Sequence, residues 1–249
     1  MTWSPQLYTR FEDDRTRPVR DLVAAIPAGS PQTAIDLGCG PGNSTEVLAA
    51  RFPGCAVSGL DSSPDMIEAA RRRLPNLHFD VVDLQEWQGR ADVILSNAVL
   101  QWLPDHPRLL PRLVERLNPG GTLAFQIPDN LEEPAYRIMR DVAGPDLLAR
   151  SGGQRGSMET PQAYYRILNA VCSRVDLWRT TYYHVLAGSD AIVDWFKGSG
   201  LRPYLQQLDE PGQAAFLGRY RAGIADAYPT LPDGTALLPF PRLFLVATL

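Results

Sequence analysis

The densest chemistry in the chain lies in Thr33-Ala34-Ile35-Asp36-Leu37-Gly38-Cys39-Gly40-Pro41-Gly42-Asn43. A short apolar run rises to an acid, breaks into glycines at alternate positions, and is followed by a helical pattern from Ser44 to Arg51. That order reads as strand, tight loop and helix. Glycine is needed where the backbone takes a positive φ, or where a ligand touches the main chain with no Cβ in between. Three such positions on one small arc suit a flat bound molecule.

Spacing selects among ligands. A dinucleotide fingerprint runs Gly-x-Gly-x-x-Gly. Here the run is Gly38-x-Gly40-x-Gly42, and Asn43 stands where the fingerprint places its last glycine. A phosphate-cradling Gly-x-x-x-x-Gly-Lys-Ser/Thr is absent, and the chain's only lysine is Lys197. Asp36, read at the carboxyl end of its strand, repels phosphate and suits an ammonium or sulfonium group. These features fit S-adenosyl-L-methionine, with S-adenosyl-L-homocysteine as product, better than NAD.

Two further acids close the next strands. Asp61 stands 21 residues after Gly40, the distance at which an acid accepts from ribose hydroxyls. Asp83 comes at the following strand end and is a candidate acceptor for an adenine amino group. Met66 and Leu84 are candidates for the adenine faces, with a core role the alternative for each. Ser62, Asn43 and Asn97 complete the cofactor-side candidates, Asn97 through nearby backbone groups at the sulfonium end. Cys39 lies inside the loop and reads as a small filler.

The elements that must position these residues alternate strand and helix, which predicts parallel βαβ units with right-handed crossovers. Strands are expected at 33–36, 56–60, 77–82, 92–97 and 121–127. Ser63 is expected to cap a helix that opens on Pro64 and runs to about Leu74. Pro107–Leu117 reads as a helix stopped by Asn118-Pro119-Gly120-Gly121. Before the first strand, Val19, Leu22, Val23 and Ile26 give a helix from Pro18. Trp3, Tyr8 and Phe11 precede it, as a lid on the pocket or as an ordinary packed arm. After residue 130, helices are expected at 134–149 and 161–170, with an exposed loop at 149–157. Strand candidates follow at 174–184 and 240–249. Between them, 189–228 is helical with breaks at 198–203 and Pro211, a hairpin connection swollen into a cap.

At 249 residues with 45% apolar content, the chain can bury one large α/β core. We expect one structural unit: a lid and helix over 1–30, a cofactor-binding half over 31–133, and a second half over 134–249 carrying a cap at about 187–235. Net charge is −4, which disfavours nucleic acid as a partner. Residues 1–133 hold 12 bases and 18 acids, 134–249 hold 12 and 10. Three cysteines, widely spaced, argue against a disulfide frame or thiolate metal site. With no apolar run long enough for a bilayer and no signal-like N-terminus, a cytoplasmic protein without a membrane or obligate protein partner is expected.

The glycine loop with Asp36, Asp61 and Asp83 resembles the class I S-adenosylmethionine-dependent methyltransferases. Later stretches are similar to the trans-aconitate 2-methyltransferases. They are Ser62-Ser63-Pro64-Asp65-Met66-Ile67, Leu100-Gln101-Trp102-Leu103-Pro104-Asp105-His106, Pro128-Asp129-Asn130, Leu177-Trp178-Arg179-Thr180-Thr181-Tyr182-Tyr183-His184, Gly200-Leu201-Arg202-Pro203-Tyr204-Leu205 and Phe240-Pro241-Arg242-Leu243-Phe244. The resemblance implies a Rossmann-like, seven-stranded, mostly parallel sheet whose last strand is antiparallel, with a helical cap over the acceptor. It also implies methyl ester formation on a small polycarboxylate such as trans-aconitate.

A carboxylate is ionised at neutral pH, its reference pKa being roughly 4, so its methylation requires no general base and no catalytic residue is named. Arginine forks can hold the other carboxylates by paired hydrogen bonds. The substrate-side candidates are Arg179, His184, Arg202 and Arg242, with Gln101 and Trp102 after the fourth strand and Tyr8 in the lid. For Arg179 and Arg242 the alternative is a strand side chain facing solvent; for His184 it is a core histidine. His78, His106 and His184 show no metal-ligand spacing. Other acceptors, such as a phenol or amine, and a non-catalytic S-adenosylmethionine-binding protein remain the competing readings.

Overall fold

The computed structural model describes residues 12–151 and 158–249. Tyr8, Trp3 and Phe11, and most of the expected 149–157 loop, lie outside them. Helix α1 (Glu12–Ala25) begins before the expected start, so Pro18 sits inside it. Val19, Leu22, Val23 and Ile26 are all buried, a helical stripe in which each side chain contributes about 1.5–3 kcal/mol by leaving water.

Strand and helix then alternate as β1 (Thr33–Leu37), α2 (Asn43–Arg51), β2 (Ala56–Asp61), α3 (Pro64–Arg73), β3 (His78–Val81) and β4 (Ala91–Asn97). A 3-10 turn (Leu100–Trp102), α4 (His106–Val114), β5 (Leu117–Pro128), α5 (Pro134–Ser151) and α6 (Pro161–Asn169) follow. The remainder is β6 (Arg174–Leu186), α7 (Gly188–Lys197), α8 (Arg202–Leu205), α9 (Glu210–Ala227) and β7 (Ala236–Thr248). The seven strands lie in the order β3-β2-β1-β4-β5-β7-β6. Strands β1 to β5 pair in parallel, Asp36 standing beside Gly59 on β2 and Leu95 on β4. Strand β7 runs against β5, because Asp129 N–H donates to Pro241 O while Leu249 N–H donates to Gly121 O. The expected Rossmann-like, mostly parallel sheet with its last strand antiparallel is the observed one.

From β1 the chain builds outward through β2 and β3, then returns to lay β4 on the other side. The carboxyl ends of β1 and β4 are therefore the topological switch point, where ligands of such sheets bind.

Several boundaries differ from expectation for physical reasons. Strand β5 begins at Leu117 rather than Gly121, because Leu117 already pairs with Ala91 before a register shift. Helix α4 closes at Val114, short of the expected Leu117, and the Asn118–Gly121 stop lies inside β5, Asn118 Nδ2 donating to Asp92 Oδ1. Pro211 does not interrupt a helix. It occupies the first turn of α9, where its missing N–H costs nothing, and Asp209 caps that turn by accepting from Gly212 N–H. Helix α5 continues to Ser151, so Ala149–Ser151 is helix rather than loop, but it kinks at Gly144 (φ 65°, ψ 170°) ahead of Pro145.

The described residues group into two compact units. The first takes those of Met1–Pro128 and Arg155–Thr180 with Leu243–Leu249; the second takes those of Asp129–Gln154 and Thr181–Arg242. Within the first, Leu37, Ile94, Leu110, Phe125, Tyr164 and Leu245 belong to one buried apolar cluster. His106 is buried there, Nε2 at Leu100 O and Nδ1 at the Tyr164 hydroxyl. A carbonyl accepts only, so Nε2 carries the proton and Nδ1 accepts from Tyr164. Tyr164→Phe would leave that nitrogen buried without its donor. We expect a loss of about 2 kcal/mol, seen as a fall of roughly 5 °C in melting temperature. An unchanged melting temperature would remove this bond from the core's stabilising set.

In the second unit, α9 packs closely on α5. A Cβ at Gly223 would lie 2.7 Å from Ile138 Cγ2, and Tyr228 OH accepts from Ala135 N–H.

Candidate functional site

The glycine loop joins β1 to α2 at the switch point. Gly38, Gly40 and Gly42 all take positive φ, at 76°, 53° and 91°. Their amides are turned inward. Gly38 and Cys39 N–H both donate to Leu60 O, Gly40 N–H to Asp61 Oδ2, and Gly42 N–H to Cys39 O. A pyrophosphate cradle needs such amides pointing at the ligand, so this loop is not one. The space around the glycines differs. A Cβ at Gly38 would sit 2.4 and 2.6 Å from the two methyls of Val99, whereas a Cβ at Gly40 would meet nothing within 4 Å among the described residues. Gly40 is thus the point where a ligand can lie directly on the backbone.

Asp36 is fully buried within β1 rather than closing it. Its Oδ2 accepts from Ser44 Oγ and Thr45 Oγ1, each at 2.7 Å, tying the strand to the first turn of α2. Its Oδ1 has no hydrogen-bond partner among the described residues. Burial pushes its pKa up to about 6, against the two hydroxyl bonds and with a further push from the Asp61 charge. A buried carboxylate with one oxygen unmatched favours a cationic neighbour over an anionic one.

Asp61 ends β2, half-buried, accepting from Gly40 N–H and from Ser63 N–H. Burial raises its pKa too, the amides of Ser63, Gly40 and Ser62 opposing. It braces the loop, so any ribose contact falls to its remaining lone pairs. Ser62 is exposed and Asn43, first residue of α2, is half-buried. Ser63 was expected to cap α3 but makes no side-chain cap bond. Asp83 is exposed, its Oδ1 accepting from Gln85 N–H across a short turn. Met66 is buried, and Leu84 packs against the core cluster of the first unit. Cys39 is buried, and burial with the charges of Asp36 and Asp61 pushes its thiol far up, leaving a filler rather than a nucleophile.

At the end of β4, Asn97 Oδ1 accepts from Gln126 Nε2 at 2.6 Å, and Ala98 adopts a left-handed φ of 57°. Gln101 is buried, its Nε2 donating to Ala98 O at 2.6 Å. One of its amide hydrogens is thus spent on the backbone. Trp102 is 42% exposed. Gln126, fully buried on β5, escaped the sequence reading. Its signal was a lone amide inside the apolar run Leu123–Ile127.

The arginine candidates are dispersed along the chain. Arg179 is exposed on β6 in the first unit. In the second, Arg202 is half-buried at the start of α8, while Arg242 is buried, its guanidinium over the Phe240 ring. His184 is in the core, stacked on Trp195 at 4.5 Å and edge-on to Phe240, which answers to the interior alternative. Among the described residues no group of three or more His, Cys, Asp or Glu could hold a metal ion, and no helix is long and apolar enough to cross a membrane.

Comparison with known proteins places this geometry. A methyltransferase domain family model matches residues 11–171. A trans-aconitate 2-methyltransferase of Methylobacterium radiotolerans is 53% identical, over 98% of this chain and 97% of that protein. One of Rhizobium meliloti is 49% identical over 100% and 99%. Among solved structures, the YcgJ protein of Bacillus subtilis superposes with a TM-score of 0.59 at 10% identity, over 93% of this chain and 97% of that one. Haemonchus contortus phosphoethanolamine N-methyltransferase 2, in complex with phosphomonomethylethanolamine and S-adenosylhomocysteine, gives 0.57 at 15% identity over 93% of this chain; the chain spans about half (52%) of that structure. The structures share the fold, the curated relatives share the sequence from end to end, and the chain belongs to the trans-aconitate 2-methyltransferase family.

Proposed function

We propose that the chain transfers a methyl group from S-adenosylmethionine to one carboxylate of trans-aconitate, forming a monomethyl ester. The observation that carries this is the identity of about half, 53%, to a trans-aconitate 2-methyltransferase along practically the whole of both chains. The loop fits the cofactor. Gly40 leaves open backbone, the inward amides provide for no pyrophosphate, and Asp36 presents an unmatched buried oxygen. When bound, S-adenosylmethionine supplies an electrophilic methyl group on a sulfonium. We assign Gly38, Gly40, Asp61 and the Asn97–Ala98 turn to its holding, with Asn43, Ser62, Met66, Asp83 and Leu84 around them.

The protein's task is placement. Holding two reactants in attack geometry lowers a barrier by roughly 7–11 kcal/mol at best. No proton must leave an ionised carboxylate, so none of the chain's groups acts as a base. We assign Arg202 and Arg242, with Arg179, to the acceptor's other carboxylates. A polyanionic small molecule is then the only partner required, and three free cysteines accord with a reducing cytoplasm.

Incubation with labelled S-adenosylmethionine and trans-aconitate should give a base-labile ester. Arg202→Ala should raise KM for trans-aconitate about tenfold, the loss of one charge-assisted bond, with cofactor affinity unchanged. No turnover of any di- or tricarboxylate would end the proposal. Equal weakening of both ligands would take Arg202 out of the acceptor's grip.

A further inference from the structure

A non-glycine residue with left-handed φ survives where its surroundings over-determine it, and such residues gather at functional sites. Ala98 is one of two in the described chain, and it follows β4 at the switch point. Its N–H donates to Gln126 O at 2.9 Å, and its carbonyl accepts from Gln101 Nε2. The Gln126 side chain reaches across to Asn97 Oδ1. The Gln101 orientation follows from the chemistry, since a backbone carbonyl only accepts and nitrogen must face it, while Gln126 and Asn97 are joined amide to amide. The next residue, Val99, has both methyls against Gly38, so close that a Cβ there would overlap them.

We propose that Gln101 and Gln126 are positioning residues. Together they clamp the Asn97–Ala98 turn in its left-handed form, and through Val99 they set where the glycine loop lies. The inference rests on the cofactor reading above and deepens it: the site's wall on the β4 side is held by two side-chain amides. Neither needs to touch the acceptor.

Calorimetric binding of S-adenosylhomocysteine, with no acceptor present, reads the clamp directly. Gln101→Met and Gln126→Met should each weaken binding about tenfold. The double variant should lose about tenfold again in total, not a hundredfold, because residues of one device do not add. Glycine takes φ near +57° without support, so Ala98→Gly in the Gln126→Met background should restore most of the lost affinity. KM for trans-aconitate should stay within about twofold, as no acceptor contact is removed. Multiplying losses, no recovery with Ala98→Gly, or a KM rise with S-adenosylhomocysteine affinity intact would each overturn the clamp. Should Gln126→Met not fold, Gln101→Met with and without Ala98→Gly reads the same device. Failure to methylate trans-aconitate would leave these binding measurements standing and count against the acceptor alone.

Discussion

Gly40→Ala should lower S-adenosylmethionine affinity about a hundredfold, close to 2.7 kcal/mol, and still leave a folded protein. The backbone cost is that of placing an alanine at φ 53°, about 1–2 kcal/mol, or a few degrees of melting temperature. Among the described residues nothing obstructs the added methyl, since none of their atoms is found within 4 Å of it. A ligand lying on the loop would. Gly38→Ala is the contrasting case. Its Cβ would overlap the methyls of Val99, a β-branched side chain with little rotamer freedom. Overpacking then adds about 1–3 kcal/mol to the strain of the left-handed backbone, and stability falls along with binding. Calorimetry and thermal melting on the two variants separate the effects. If Gly40→Ala bound S-adenosylmethionine as tightly as the parent, the cofactor would lie elsewhere.

The fold was legible because each unit of the sheet is written in local terms. Apolar runs end in Asp, Gly or Asn, and helices open on proline or on capping residues. Asn118–Gly121 shows where this fails. As sequence it is a helix stop, but whether the next residues form a turn or join a strand depends on β4, far away in the chain. The site was legible in type and less so in role. Asp36 and Asp61 were visible as acids near the loop, yet both spend oxygens holding the loop and α2 in shape, which only three-dimensional hydrogen-bond partners reveal. Gln101 was visible as a polar residue after a strand, but its bond to Ala98 depends on a backbone conformation that no motif encodes. His184 had the chemistry of a ligand and the position of a core residue, because alternation along β6 turns Tyr182, His184 and Leu186 to one buried face.

Asp36→Asn should flatten a pH dependence that the parent carries. The Asp36 carboxyl has its folded pKa raised to about 6 from 3.8. Its stabilising contribution is therefore complete below about pH 4, where the acid is neutral in both states, and is lost as pH rises through 6. At 0% exposure, solvent screening does not discount the effect, which amounts to about 3 kcal/mol across that window. Asp61 pushes the same way but is present in both proteins, so the difference between them isolates Asp36. Measured by urea unfolding without ligand, the variant should gain on the parent steadily from pH 4 to 7. The buried amide hydrogens of the new Asn add a cost of about 1–3 kcal/mol that does not vary with pH. A difference independent of pH would mean the acid is not desolvated as the structure has it. The same variant tests why an ionised acid is kept there at all. Only S-adenosylmethionine carries the sulfonium charge, so its binding at pH 7.5 should weaken at least tenfold more than that of S-adenosylhomocysteine, about 1.4 kcal/mol of charge attraction. Equal losses for the two ligands would reduce Asp36 to a brace for Ser44 and Thr45.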